Sequence, residues 1–320
     1  MEYLNSKFVR SIFLFIQSFV LFTILFDVLN QGFSIHDIFF NLMSTSSSYI
    51  ALRYSGALQE SIVTRLGTVF TYVGVMLGGF VFCFSKSNFR KFLIVFISLL
   101  PSILLMVVQG AKGALFLCMF LFYGSAAIYR LYNGDTALTN KKINKAILYS
   151  LVFLVPAVIS SFLSRGLYDQ DIDYIIQKLK MYLRSYAFAH LYAFSDWFGA
   201  YIGGESLMQF DDINNESEYG FYTFMAIFKA LGSDKYVPPG VFDEYYAYKE
   251  VIKSNIYTMY RGVILDFGII GSLVFSFALG FALNLVYFLI CVLRSPLFFI
   301  SVYIAMFGFY YTSFIISIFI

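Results

Sequence analysis

Apolar runs long enough to cross a lipid bilayer dominate this sequence and limit what the chain can fold into. A transmembrane α-helix needs about 20 consecutive, mostly apolar residues, and several runs reach that length. The composition agrees, because 60% of the residues are hydrophobic and only 13% are charged. Soluble domains do not have such a composition. We therefore predict an all-α integral membrane protein.

The apolar runs predict about seven transmembrane helices and one large loop. The spans are expected at residues 8–29, 64–84, 90–109, 113–132, 145–164, 262–292 and 296–318. The chain then divides into an N-terminal transmembrane bundle (1–164), a large loop (165–261) and a C-terminal transmembrane hairpin (262–320). The first apolar run is longer than a signal-peptide core and lacks a small-residue cleavage site, so we expect it to be retained.

The distribution of Lys and Arg among the short connections predicts the orientation. One set of connections holds ten such residues, and the opposite set holds only three. Because positive charge favours the cytoplasmic side, the N-terminus is expected in the cytoplasm and the large loop outside. The loop is net acidic, with nine Lys/Arg and thirteen Asp/Glu. The sequence has no basic region with interleaved aromatic residues, which argues against nucleic acid as a partner.

Two segments of the loop are predicted to be amphipathic helices. From Asp171 to Gly199, apolar side chains recur at a 3.6-residue period, with Asp171 as the N-cap and Gly199 or Gly203–Gly204 as the end. A second segment, Tyr219–Leu231, is too short to cross the membrane. We expect these helices to lie on the membrane surface without forming an independent domain.

Aromatic residues are concentrated in the loop, which holds fourteen of the chain's 26 tyrosines and its single tryptophan. Aromatic faces with polar edges suit sugar rings. Tyr and Trp also concentrate at lipid headgroups, and for any single residue this interfacial interpretation is the stronger one. Membrane lipid and carbohydrate are therefore both expected partners, and Trp197 and Tyr257 are assigned to substrate binding.

Lys and Arg are depleted on the outer side of the membrane, so those that occur there need an explanation. They are candidates for binding an anionic ligand such as a lipid pyrophosphate. Guanidinium groups bind phosphate oxygens at two points and would stabilise a departing pyrophosphate. Each cation can instead pair with a loop carboxylate or reach to lipid headgroups. Arg261 and Arg184 are assigned to catalysis, and Lys180 shares a helix face with Arg184. The remaining candidates are Arg53, Arg65, Lys112 and Arg165.

His190 is the candidate general base, because an imidazole titrates near neutral pH without special tuning. A single histidine on an apolar helix face is more often a hydrogen-bonded core residue, so carboxylates compete for this role. The competing acids are Glu60, Asp169, Asp171, Asp173, Asp196, Asp211 and Asp212.

Asp266 follows Arg261 by five residues at the start of the sixth span. A charge there is costly unless it is paired or lies at the interface, so an ion pair of Asp266 is expected to anchor the loop to this span. No metal site and no disulfide framework are indicated, because all three cysteines lie in apolar runs and metal-ligand spacing is absent. The three are Cys83, Cys118 and Cys291.

Three segments of the chain resemble parts of a known family. The first runs from Ser254 to Thr258 and continues through Arg261 to Leu265–Gly271. The second, Tyr219–Phe224, contains a Gly-x-x-Thr-Phe pattern, and the third is the hairpin Gly110-Ala111-Lys112-Gly113. In order and spacing, these segments resemble bacterial O-antigen and capsule repeat-unit polymerases, which usually have arginine where this hairpin has Lys112.

The resemblance implies a metal-independent glycosyltransferase without a cofactor, at the periplasmic face of the bacterial inner membrane. The growing glycan would leave its polyprenyl pyrophosphate and join the end sugar of a newly flipped, polyprenyl-pyrophosphate-linked oligosaccharide. By position, Arg261 corresponds to the arginine that closes the family's loop, and Lys112 to its hairpin arginine. A chain-length regulator protein is an expected partner. Family members commonly have more spans, so this chain is expected to be a shortened member or a partial gene product.

Two other functions stay open from the sequence. An O-antigen ligase, which passes the finished glycan to a lipid core, also has a late large loop. A flippase or transporter would have internal repeats, broken helices and charges at the membrane midplane. The sequence shows no repeat and few charges deep in its spans, so this last function is disfavoured.

Overall fold

A computed structural model describes most of the chain, and its residues fall into two compact units. The described residues are 7–55, 57–59, 61–110, 112–134, 141–163, 167, 170–210, 219–235, 241–242, 244–249, 251–293 and 297–312. Unit 1 comprises Met1–Gln170 and Val286–Gly308, and unit 2 comprises Asp171–Leu285 and Phe309–Ile320. The fold is helical with almost no sheet, as the sequence predicts.

Unit 1 is built from long apolar helices joined by short connections. Helix α4 packs against α1 and α6, while α5 packs against α6 and α7. The helices that begin in this unit are α1 (Lys7–Asn30), α2 (Ile35–Phe40), α3 (Leu42–Tyr54), α4 (Ile62–Phe84), α5 (Asn88–Gln109), α6 (Lys112–Tyr132), α7 (Lys141–Leu163) and, after the loop, α12 (Leu297–Thr312).

Glycine allows the closest approach in this bundle. A Cβ atom at Gly79 in α4 would lie 2.4 Å from the carbonyl oxygen of Phe122 in α6. Small residues at such crossings let two helix backbones approach closely inside a membrane, where packing takes the place of the hydrophobic effect.

Unit 2 contains most of the large loop and the first part of the helix that follows it. Two strands pair antiparallel, with Tyr246 opposite Ser254 and Tyr248 opposite Ile252. The elements are α8 (Ile172–Arg184), a π-helix (Ser185–Ala189), α9 (His190–Tyr201), α10 (Met225–Ala230), β1 (Tyr246–Tyr248), β2 (Ile252–Ser254) and α11 (Met259–Leu293).

That the loop forms no independent domain stays a prediction, because unit 2 also includes the first part of α11. Unit 2 has its own core, in which Trp197, Phe242, Tyr246 and Tyr257 are buried together. The periodic segment from Asp171 is helical as predicted, but the π-helix Ser185–Ala189 interrupts its α-helical geometry. The predicted second helix begins only at Met225, since residues 219–224 form turns. Helix α8 itself contributes no buried residue, and its placement on the membrane surface stays a prediction.

Five helices in the described part of the chain are long and apolar enough to cross a membrane, namely α1, α4, α5, α6 and α11. Their bounds lie within a few residues of the predicted spans. The chain is therefore a multi-pass helical membrane protein. The two other predicted spans, 145–164 and 296–318, coincide with α7 and α12, and their assignment as spans stays a prediction.

The predicted span 262–292 is not one continuous helix, because the backbone breaks at Gly268. This residue has φ 67° and ψ −179°, which is far from helical geometry. Residues 259–267 form a short first part that is mostly buried, and residues 269–293 form a longer apolar part. The extra length of this predicted span is therefore explained by two helices joined at a glycine.

The break gives the first prediction. A residue with a side chain is essentially excluded from the backbone conformation of Gly268, so Gly268→Ala should lower the free energy of unfolding by about 1–3 kcal/mol. Gly280→Ala is the matched control, since it lies in the same helix and neither glycine has an atom within 4 Å of an added Cβ. Thermal unfolding in detergent measures both variants. An unfolding midpoint for Gly268→Ala equal to that of Gly280→Ala would show that the break is not required.

Candidate functional site

The guanidinium group of Arg261 lies inside an aromatic enclosure in unit 2. Its Cζ atom lies 3.8 Å from the ring centroid of Phe242 and 4.1 Å from that of Tyr257. The rings of Phe210 and Trp197 are farther away, at 5.4 Å and 5.5 Å. The Arg261 side chain is 0% exposed. Desolvated cation–π contacts of this kind stabilise a cation by about 2 kcal/mol or more.

Glu244 supplies the negative charge that pairs with Arg261. The Nη2 atom of Arg261 donates to both carboxylate oxygens of Glu244, at 2.9 Å and 3.1 Å. Glu244 lies just before β1, and Arg261 lies in the first turn of α11, so the ion pair joins two separate parts of the loop. The ion pair thus joins Arg261 to an acid that the sequence did not single out.

Asp266 instead holds the middle of the loop. Its Oδ1 atom accepts a hydrogen bond from the backbone N–H of Tyr222 at 3.2 Å, and its Oδ2 atom accepts one from Thr223 at 2.6 Å. Backbone amides satisfy a buried carboxylate by hydrogen bonding, without a full opposite charge. Gly262, one turn earlier, allows close contact, because a Cβ atom there would lie 2.9 Å from Cβ of Tyr222. The segment from Gly220 thus packs on the first part of α11.

Trp197 and Tyr257 are brought together with Arg261, but as parts of a core. They are 0% and 2% exposed, and neither presents a ring face that a sugar can reach in this structure. The interpretation of these two residues as sugar contacts gains no support from their position. They surround the arginine that was predicted to act in catalysis, so the structure gives all three residues a packing role.

His190 is the first residue of α9 and faces the interior of unit 2. It is buried, as are Ala193 and Trp197 on the same helix. Burial lowers the pKa of His190 below its usual value, which keeps the imidazole neutral at physiological pH. A neutral imidazole can accept a proton, but the burial of His190 matches the alternative of a core histidine.

The remaining predicted cations lie in different places. Lys180 and Arg184 are exposed on α8 and share one helical face, as expected from their spacing. Arg65 is exposed near the start of α4. Lys112 begins α6 and is buried, with its ammonium group 4.0 Å from the ring centroid of Phe162. Arg165 lies outside the described residues.

The structure describes three of the seven acids that were proposed as alternative bases. Asp196 accepts a hydrogen bond from the backbone N–H of Leu207 at 2.9 Å, which gives it a role in the fold of unit 2. Asp171 and Asp173 are exposed at the start of α8. Glu60, Asp169, Asp211 and Asp212 lie outside the described residues. Within the described ranges, no group of three His, Cys, Asp or Glu residues is arranged to hold a metal ion.

Asp27 is a buried carboxylate that the sequence interpretation missed. It lies in the last turns of α1, is 2% exposed, and accepts hydrogen bonds from side chains on three other helices of unit 1. A signal was present, because a carboxylate inside an apolar run of span length is rare unless it has a role. Its partners are distant in sequence, so no local pattern identifies them.

Comparison with known proteins found no match. No family model, no curated protein and no solved structure matches this chain.

The enclosure of Arg261 gives the second prediction. Arg261→Ala would leave the mostly buried carboxylate of Glu244 without its cation, which typically costs about 3–5 kcal/mol of unfolding free energy. Arg184→Ala is the control, because an exposed arginine away from such features changes stability by only about 0.5 kcal/mol. Denaturation of the purified variants, followed by Trp197 fluorescence, measures the difference. Equal stability of the two variants would contradict a structural role for Arg261.

Proposed function

We propose that this protein is a polymerase of lipid-linked oligosaccharide repeat units. It transfers a growing glycan from its polyprenyl pyrophosphate carrier to the end sugar of a new lipid-linked unit, at the periplasmic face of the bacterial inner membrane. The reaction forms a bond between an acceptor hydroxyl oxygen and the anomeric carbon, and it breaks the bond from that carbon to the pyrophosphate. The acceptor proton passes to a base, and the leaving pyrophosphate keeps the electron pair.

Contact between two of the segments that resemble the polymerase family supports the proposal. The mid-loop segment Tyr219–Phe224 and the loop-closing segment from Arg261 are far apart in sequence, yet they bind each other through Asp266. Gly262 and Gly268 also have structural reasons to be glycine, since one meets Tyr222 and the other breaks the helix. The two segments that carry the resemblance therefore form one packed element of unit 2.

The membrane architecture also suits substrates that carry a long lipid. Both the donor glycan and the acceptor unit would be held by polyprenyl tails in the bilayer, so only the sugars and pyrophosphates need protein contacts outside it. The exposed cations Lys180 and Arg184 of α8 are available to pyrophosphate oxygens, for which guanidinium and ammonium groups are suitable donors. The buried Arg261 instead maintains the fold of the loop.

Deletion of the gene, followed by gel analysis of the surface glycan, tests the proposal. Loss of a polymerase should leave the lipid core bearing one repeat unit. A bare core, with long glycan still on the lipid carrier, would identify a ligase instead. Single units trapped on the cytoplasmic face would identify a flippase, and an unchanged surface glycan would contradict all three functions.

A further inference from the structure

Side chains from three other helices of unit 1 converge on Asp27 in α1. The phenol of Tyr49 in α3 and the amide nitrogen of Gln109 in α5 both donate hydrogen bonds to its Oδ2 atom, the second at 2.9 Å. The hydroxyl of Thr64 in α4 donates to Oδ1 at 3.1 Å. Gln109 also donates to the Tyr49 oxygen at 3.2 Å. We call these four residues the Asp27 cluster.

The cluster is arranged around a carboxylate that is held as an acceptor. Each of the three partners donates a hydrogen bond to Asp27, and each partner is uncharged. Burial of an ionised group inside a protein costs several kcal/mol. Acids buried in membrane-spanning helices are therefore rare, and they commonly mark substrate sites or proton pathways.

The cluster lies where the helix ends of unit 1 meet. Asp27 is in the last turn of α1, Thr64 is in the first turn of α4, and Gln109 is the last residue of α5. Asp27 and Tyr49 are buried, whereas Thr64 and Gln109 are half-buried. Thr64 and Gln109 are therefore more exposed than the carboxylate to which they donate.

Positive charge lies beside Gln109 of the Asp27 cluster. The Nη1 atom of Arg53 donates to the backbone carbonyl of Gln109 at 3.0 Å. After Gln109 the chain turns at Gly110, which has φ 68°, and Lys112 begins α6. The exposed guanidinium group of Arg53 is therefore bound to the helix end that also carries one hydrogen-bond partner of Asp27. Transfer of a glycan from a pyrophosphate needs both kinds of group, one to accept a proton and the other to hold the phosphates.

We propose that Asp27 is the general base of the transfer reaction, an inference that rests on the proposed function. The acceptor hydroxyl takes the position at Oδ2 that the Gln109 amide now occupies, and it gives its proton to the carboxylate. The acceptor oxygen then bonds to the anomeric carbon, while the bond from that carbon to the pyrophosphate breaks.

The test uses the purified full-length protein in proteoliposomes with a polyprenyl-pyrophosphate-linked repeat unit as the only substrate. Loss of a general base slows a reaction by about 100- to 10,000-fold, so Asp27→Asn should lower kcat by that factor, with little change in KM. Asp37→Asn is the matched control. Asp37 is also a hydrogen-bonded acid of unit 1, but it caps α2 through Ser34 and is only half-buried, so this variant should keep the wild-type kcat.

A purely structural role for Asp27 gives a different result. In that case Asp27→Asn lowers the unfolding midpoint, while kcat per folded molecule stays at the wild-type value, and this outcome overturns the inference. If Asp27→Asn does not fold, Asp27→Glu replaces it, because it keeps the carboxylate but displaces it by one methylene. A displacement of about 1 Å can cost about 100-fold in rate, so a wild-type kcat for folded Asp27→Glu also overturns the inference. A wild-type protein that extends no glycan contradicts the proposed function itself.

Discussion

The ion pair between Arg261 and Glu244 is the interaction on which the structure of unit 2 depends. A guanidinium group with 0% exposure is tolerated there only because a carboxylate and four aromatic rings take the place of water. The same rings form the core of the unit, so the charge and the hydrophobic core stabilise each other. A loop that is acidic and rich in tyrosine thereby gains a fixed interior around one cation.

The first part of α11 extends this interior to the middle of the loop. Arg261 binds Glu244, and Asp266 binds the backbone amides of Tyr222 and Thr223, so one short helix holds two distant segments. Gly268 then breaks the helix before its longer apolar part begins. The break lets the two parts of α11 take different directions, one suited to the loop core and the other to a membrane span.

The positions of the five span-length helices were predicted from the sequence, whereas the partners of the buried charges were not. Apolar runs of span length predicted α1, α4, α5, α6 and α11 to within a few residues, because a bilayer demands that length. Glu244 is one of thirteen acids in the loop, and no spacing rule selects it as the partner of Arg261. The choice depends on how the strands and α11 pack, which a single sequence does not encode in any local pattern.

The partners of Asp27 in the Asp27 cluster of unit 1 were not predicted for a similar reason. Asp27, Tyr49, Thr64 and Gln109 are spread over four helices, so the carboxylate in its apolar run was a signal but no local pattern identified its partners. The predicted site residues came mainly from the loop, where polar residues are dense. Some of them, such as Arg261 and Trp197, are buried in the core of unit 2 and maintain the loop. Others, such as Lys180 and Arg184, are exposed and can contact a substrate.

The most direct test of the proposed transfer is the stoichiometry of one turnover. The purified protein would be given only the polyprenyl-pyrophosphate-linked repeat unit, without nucleotide sugar and without a lipid core, and the products would be identified by mass spectrometry. A polymerase should yield a carrier bearing two repeat units and an equal amount of free polyprenyl pyrophosphate. Unchanged substrate, or transfer that begins only when a lipid core is added, would contradict the account.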